Sequence, residues 1–526
     1  MDSVIEFYKL WQPGAETLRA CLPEILLAVL ALLALVFDVA CKSCCARRAS
    51  AAFVRAALIA LFVAVLGGAF PPAVFESPNS LFLGAGVGVF ATPLFIACAF
   101  FAINLSCIVR SREGGSEISA PATTHLILLS TAAASLLLKA TNFVAFFVLL
   151  ETLTVCLYAL VGSNRGNGHS LEAGVKYLIA GGVSGGLMLF GIVLLYGGAA
   201  LAGLPSYSGD PLGYGTIAAF LAQSPDSALG LAGAGMVVAG VMFKLGVFPM
   251  QFWIPDVYQG APTHVTFFLA TLSKAVGFSL MLVMLLVFSG VAGTLVPVLV
   301  VCALISIVYA NLTALGQRNV KRLLGLSGVS HAGYLMLGLL AAVSIPVTEK
   351  ADFLPIVLVV AYLVVYIATV YPIFSVMVRM PQTDDALQNF DDYEKLAKRN
   401  PFLAGTLAFG LASLAGIPPT VGFFAKLGLL YVLFRAGFYG SIAVMLACVV
   451  AGIYYYFGWI RAAFSRGDCC GKGGCKCRCG GEEEKKSCAS DYLPVGLCSR
   501  VVLLAFSAFM VLGSLVYWCV ARGIVS

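Results

Sequence analysis

The stretch VMFKLGVFPMQFWIPDVYQGAPTHVTFFLATLSKAVGF, residues 241–278, combines apolar length, lysines and helix breakers. It is apolar enough to lie within a bilayer, yet it carries Lys244 and Lys274 and is interrupted by Pro249 and Pro255. Proline removes an amide donor and frees a carbonyl, so a helix break at membrane depth is tolerated only where protein or a water-filled cavity surrounds it. A lysine at that depth costs roughly 2.5 to 3.5 kcal/mol on insertion and usually faces a polar interior through which ions or protons move. A segment with both features reads as the interrupted helix of an ion-translocating membrane protein.

Composition extends this reading to the whole chain. With 526 residues, 60% hydrophobic and 11% charged, and a mean hydropathy of +0.98, the chain has too little polar surface to coat a soluble globule of its size. Runs of about 20 apolar residues, the length that crosses a bilayer, lie near 22–40, 51–70, 85–109, 122–140, 142–162, 175–198 and 229–251. Others lie near 262–289, 293–316, 322–343, 353–378, 401–434, 438–460 and 496–520, about fourteen in all.

The basic residues test that count, because Lys and Arg collect on the cytoplasmic or matrix side. Loops after odd-numbered spans hold 21 of them, among them Arg47, Arg165, Arg318, Lys321, Lys395 and Arg466, and the opposite side holds 5. The remaining six of the 32 lie within or at the ends of spans. A miscounted helix would swap the sides midway, so both termini are expected on the periplasmic or intermembrane-space side.

Those six divide by depth. Arg55, Lys139 and Lys176 lie near span ends, where their stems can snorkel to the interface. Glu24 and Asp38 also lie near ends, where a carboxylate reaches water, and Glu172 with Lys176 reads as an ordinary i, i+4 pair. Lys244, Lys274 and Lys426 have apolar sequence on both sides, as does the carboxylate Glu151. They are the candidate site residues, against the plainer reading that each lysine only pins helices through a carboxylate or a backbone carbonyl.

The helix breaks repeat. Lys426 follows Gly416, Pro418 and Pro419 in AGIPPTVGFFAKL (415–427), so spans seven and twelve are both interrupted near a lysine. Corresponding breaks five spans apart are the mark of an internally repeated transporter. The expected architecture is an all-α polytopic membrane protein of about 14 transmembrane helices, with two antiporter-like inverted repeats and broken helices 7 and 12. Its segments are a three-helix portion 1–121, repeats 122–290 and 291–462, a Cys-rich loop 463–492 and a last helix 493–526.

Together with FFVLLETLTVCLYALVG (146–162) and QRNVKRLLGLSGVSHAGY (317–334), these segments resemble NADH dehydrogenase subunit 2, whose bacterial counterpart is NADH-quinone oxidoreductase subunit N. The resemblance runs from LPEILLAVLALLALVFDV (22–39) through the thirteenth span. It implies a proton channel in the membrane arm of respiratory complex I, an H+-translocating NADH:ubiquinone oxidoreductase. In that case Glu151, Lys244, Lys274 and Lys426 match the glutamate of the fifth helix and the lysines of the seventh, eighth and twelfth. Lys244 would pass its proton to Lys274 through ordered water, with Lys426 next toward the exit side, and His331 in SGVSHAGY either bridges the lysines or is a hydrogen-bonded core histidine.

Partners implied by the resemblance are other membrane-arm subunits, including neighbouring antiporter-like ones, and membrane lipids; no nucleic acid is expected. No haem, flavin, nucleotide or iron-sulfur motif appears with its required context, so no cofactor is expected in this chain and redox chemistry is assigned to partner subunits. The chain departs from the family at His264, where relatives commonly carry proline, at Lys139, where they usually carry no charge, and in the eleventh span. The insertion CCGKGGCKCRCGGEEEKKSC (469–488) departs most. Its spacing does not match paired CxxC zinc sites, so a flexible reduced loop is expected, with metal binding by Cys475, Cys477 and Cys479 as the alternative.

Two other functions compete. A subunit of a cation/proton antiporter complex shares the broken-helix lysines, but relatives of that kind tend to carry histidine near Tyr258, so Tyr258 and Gln259 favour subunit 2. A structural membrane subunit that has lost pumping would tolerate loss of the central charges. No cleavable signal or Arg-rich transit segment is evident before the first span. The cysteine-rich insertion favours a mitochondrial inner membrane, with a bacterial plasma membrane as the alternative.

Overall fold

A computed structural model describes residues 21–40, 44–68, 83–112, 121–204, 209–345, 353–380, 384–465 and 495–525, and their regular structure is helical. The Cys-rich segment 469–488, with Cys475, Cys477 and Cys479, lies outside these residues. The membrane helices of the first half are α1 (Leu22–Ala40), α2 (Cys44–Leu66), α3 (Leu83–Arg112), α4 (Pro121–Leu137), α5 (Phe143–Val161), α6 (Gly168–Leu201) and α7 (Ala228–Leu245). A short helix α8 (Trp253–Gly260) leads into α9 (Thr263–Val287). The second half holds α10 (Ala292–Ala314), α11 (Val320–Ser344), α12 (Leu354–Met377), α13 (Pro401–Ala415), α14 (Val421–Arg435), α15 (Tyr439–Phe464) and α16 (Leu497–Val525).

Eleven helices among the described residues are long and apolar enough to cross a membrane, and α4, α13 and α16 contribute shorter apolar stretches. The fourteen expected spans therefore coincide with helices, the seventh ending early at Leu245 and the twelfth split into α13 and α14. Asparagine side chains start many of them: Asn142 accepts from the Val144 amide, Asn167 from His169, Asn319 from Lys321 and Arg322, and Asn400 from Leu403. Each satisfies amides that have no partner within the helix.

Both breaks have one backbone design. α7 ends at Leu245 and α13 at Ala415, and the next residues, Gly246 and Gly416, take φ of 77° and 79°. That left-handed region penalises any residue with a Cβ, so glycine is required to end the helix there. The amide of Gly416 turns back to the carbonyls of Ala412 and Ser413. Three residues beyond each glycine stands a proline, Pro249 or Pro419, joined by a cis peptide bond.

The chain forms two compact units. One comprises residues 1–245 and 272–296; the other comprises 246–271 and 297–526. In the first unit α4 packs on α1, α3 and α5, and α6 packs on α5 and α7. In the second, α12 packs on α13 and α14 while α11 packs on α8, α12 and α14. Exposed Leu, Val and Phe side chains line α1, α2, α6 and α10, including Leu32, Phe53, Val183 and Val298. Such a surface is stable only against lipid or another apolar protein face.

One expectation about span ends is corrected. Glu24 does not reach water: it is 1% exposed and pairs at 2.7 Å with Lys139, which the sequence placed at the interface. The side-by-side packing of α1 and α4 brings the two together, so Glu24 is buried against Lys139, whose side chain stays 14% exposed. Glu172 and Lys176 do form the i, i+4 pair, and it is exposed.

Candidate functional site

Three of the five expected residues, Glu151, Lys244 and Lys274, lie in the first unit; Lys426 and His331 lie in the second. Lys244 occupies the last turn of α7 and is 2% exposed. Its Nζ donates at 2.6 Å to Thr154 Oγ1, whose own hydroxyl donates to the Leu150 carbonyl. Thr154 stands three residues after Glu151 on α5, so the hydroxyl that contacts the lysine shares a face of that helix with the glutamate, and lysine and glutamate feel each other's charge. Space for the glutamate comes from Gly185 on α6, where a Cβ would lie 2.6 Å from Glu151 Oε1.

Lys274 follows a π-helical turn, Leu269–Ser273, within α9 and is 2% exposed. Such a turn inserts one extra residue and re-aims the side chains after it. Ser273 Oγ donates at 3.1 Å to the Lys244 carbonyl, and a Cβ on Gly277 would fall 2.7 Å from the Leu245 backbone. Residues 273–277 thus rest on the broken end of α7, which places Lys274 beside the segment that carries Lys244.

In the second unit Lys426 reaches from α14 to the broken end of α13. Its Nζ donates to the carbonyls of Leu414 at 2.7 Å and Ala415 at 2.8 Å. These carbonyls sit at the negative end of the α13 dipole and the break leaves them without helical partners, so an ammonium is favoured there. The same nitrogen lies 5.9 Å from the Tyr334 ring centroid. A Cβ on Gly416 would meet Lys426 Cδ at 2.9 Å and Nζ at 3.1 Å at a positive φ. Gly416→Ala is expected to destabilise the unit by roughly 1 to 3 kcal/mol, read as a lower unfolding temperature of the purified protein.

His331, on α11, sits among tyrosines. Its Nδ1 lies 2.6 Å from Tyr362 Oη, its Nε2 lies 3.5 Å from Tyr456 Oη, and its ring is 5.9 Å from that of Tyr334. Tyr334 therefore stands beside both His331 and Lys426. Nearby, Asn311 donates to Ser330 Oγ at 2.7 Å and accepts from Tyr455 Oη at 3.2 Å. Hydroxyls and a neutral imidazole each donate and accept, so such a group can hand a proton along without any atom leaving its place.

A second polar cluster holds the α8 and α9 end. Lys321, counted from sequence among the loop bases, has a fully buried side chain that donates to Asp385 Oδ2 at 2.7 Å and to the Ala261 carbonyl at 2.9 Å. Asp385 also accepts from the Thr263 amide and hydroxyl at 2.8 and 2.6 Å, and from Gln388. Arg322 binds Asp256 at 2.7 Å and Gln259 at 2.9 Å. The start of α9 and the end of α8 are thereby tied to the start of α11.

A profile described as NADH:quinone oxidoreductase/Mrp antiporter, transmembrane, matches residues 140–453, the part that holds Glu151, Lys244, Lys274, His331 and Lys426. NADH-quinone oxidoreductase subunit N of Parvibaculum lavamentivorans is 32% identical over 449 residues, which is 84% of this chain and 87% of that protein. The chain belongs to this family, among its subunit N proteins. Subunit N 1 of Opitutus terrae is 51% identical over 341 residues, 65% of this chain and 66% of that relative. A chain of respiratory complex I from Thermus thermophilus has the same fold, with a TM-score of 0.71 at 24% identity over 94% of this chain and 97% of that one. In this subunit N protein, Thr154, Ser273, Tyr362 and Asp385 escaped the sequence reading. Only Thr154 carried a signal, its i, i+3 spacing from Glu151.

Proposed function

We propose that the chain is a proton-translocating subunit in the membrane arm of an NADH-quinone oxidoreductase, driven by electron transfer in partner subunits. The observation that carries this reading is the Lys244 ammonium, buried at the broken end of α7 and held by a neutral hydroxyl that lies one turn from Glu151. A fixed ion pair would lock the proton on the amine, whereas a hydroxyl partner lets a small change in the Glu151 separation alter the proton affinity of Lys244. Protons then pass from Lys244 to Lys274 by ordered water and onward to Lys426, with His331 and its tyrosines in the second unit. Partners are the other membrane-arm subunits, including antiporter-like neighbours, and lipid, and no cofactor resides in the chain.

The relatives named above are bacterial, which supports a bacterial plasma membrane over the mitochondrial inner membrane favoured by the cysteine-rich insertion. The distribution of basic residues supports both termini on the outer side. A second reading, a subunit of a cation/proton antiporter, is favoured by the Mrp half of the family description. The test is NADH-driven proton uptake by vesicles holding the complex, with sodium replaced by choline. Uptake unchanged without sodium supports the proton-pumping reading, and uptake abolished without sodium supports the antiporter.

Thr154→Val keeps the shape of the side chain and removes the acceptor of Lys244. A buried ammonium without that hydrogen bond loses about 1 to 3 kcal/mol. The expected result is a several-fold fall in proton uptake at normal subunit content, measured on the same vesicles.

A further inference from the structure

The site above leaves one buried acid and base unused. Glu24, in the first turn of α1, and Lys139, just beyond α4, form an ion pair with N to O distance 2.7 Å and side-chain exposures of 0% and 14%. The carboxylate's contacts fall on one oxygen: Oε1 takes both the Lys139 ammonium and the Ser135 hydroxyl. Because Ser135 spends its proton there, the 2.7 Å contact between Ser135 and Thr92 of α3 has Thr92 as donor. Oε2 is buried and has no hydrogen-bond partner. The thiol of Cys21 lies close enough to interact with both charges, so Cys21, Ser135 and, through Ser135, Thr92 are among the groups around the pair.

A structural pin would use both carboxylate oxygens, since a buried oxygen without a donor costs free energy comparable to a lost hydrogen bond. An open oxygen beside a fixed cation is instead a place where a proton binds without displacing anything. The pair also lies at the start of α1 and the end of α4, the ends opposite those that join the basic segments at Arg47, Arg110 and Arg112.

We propose that Glu24 and Lys139 form a proton-binding site in the first unit, separate from the Glu151 and Lys244 group, with Oε2 of Glu24 as the atom that accepts the proton. On loading, an O–H bond forms at Oε2 with a proton from water, Lys139 keeps its three protons, and the site gains one positive charge. On release the proton returns to water and the ion pair is restored. The inference concerns proton binding at Glu24 and is independent of whether the complex pumps, so its test uses a readout other than pumping.

The test is infrared difference spectroscopy of the assembled complex between neutral and acidic buffer, comparing the chain as it stands with Glu24→Gln. The expected result is a carboxyl C=O band, sensitive to deuterium exchange, that is missing in Glu24→Gln. In Lys139→Met the band is expected to remain, because the accepting oxygen Oε2 does not contact Lys139. Superimposable spectra of the unaltered complex and Glu24→Gln would overturn the proposal. Should Glu24→Gln fail to assemble, Glu24→Asp decides the matter: a displaced band supports the site, and an unchanged spectrum overturns it.

Discussion

Replacing Lys244 by methionine is expected to cut NADH-driven proton uptake by about tenfold, equivalent to about 1.4 kcal/mol in the limiting barrier, while the complex assembles normally. Methionine matches the length of the lysine stem and removes only the ammonium. Thr154 is not left stranded, because its hydroxyl still donates to the Leu150 carbonyl. Exchanging a buried charge for an apolar side chain of similar volume is often neutral or stabilising, so folding offers no route to the loss. Proton uptake and subunit content measured on the same vesicles check the prediction. Unchanged protons per electron would favour a structural subunit that does not pump.

Asp385→Ala is expected to act on stability instead. It strips Lys321 of its carboxylate and the start of α9 of the acceptor for Thr263. Removing one member of a buried pair costs roughly 3 to 5 kcal/mol. Asp385 is 39% exposed, so water screens part of the interaction and the lower end of that range applies. The loss is read as a drop in unfolding temperature. Lys321→Met in the same chain should recover part of it, since the orphaned ammonium then disappears.

The pH dependence of this cluster has a definite sign. Burial works against the charged form of Asp385, but the Lys321 ammonium and the Thr263 hydroxyl and amide outweigh it and hold the carboxyl below the usual range. A carboxyl lowered by folding contributes stability that is present above its unfolded pKa, about 3.9 for Asp, and is lost as pH falls through the folded value. The cluster is therefore expected to stay intact from neutral pH down to about pH 4 and to fail below it, a loss that Asp385→Ala should not show.

Hydropathy, charge and helix breakers were enough to identify a polytopic helical membrane protein, the places where its helices break, and the four charges that lie in apolar runs. Those properties are local: hydropathy is read along one segment, and a glycine and proline beside a lysine announce a break without knowledge of what packs there. The family followed from the same segments. What each charge touches depends on the packed helices. Lys244 meets Thr154 ninety residues away, and Lys321 meets Asp385 at a separation of 64. Glu24 and Lys139, each read alone as a residue bound for the interface, form an ion pair because α1 and α4 lie side by side. A buried charge must find a partner, but which partner it finds depends on helix packing and rotamer, and neither is written in the residues that flank it.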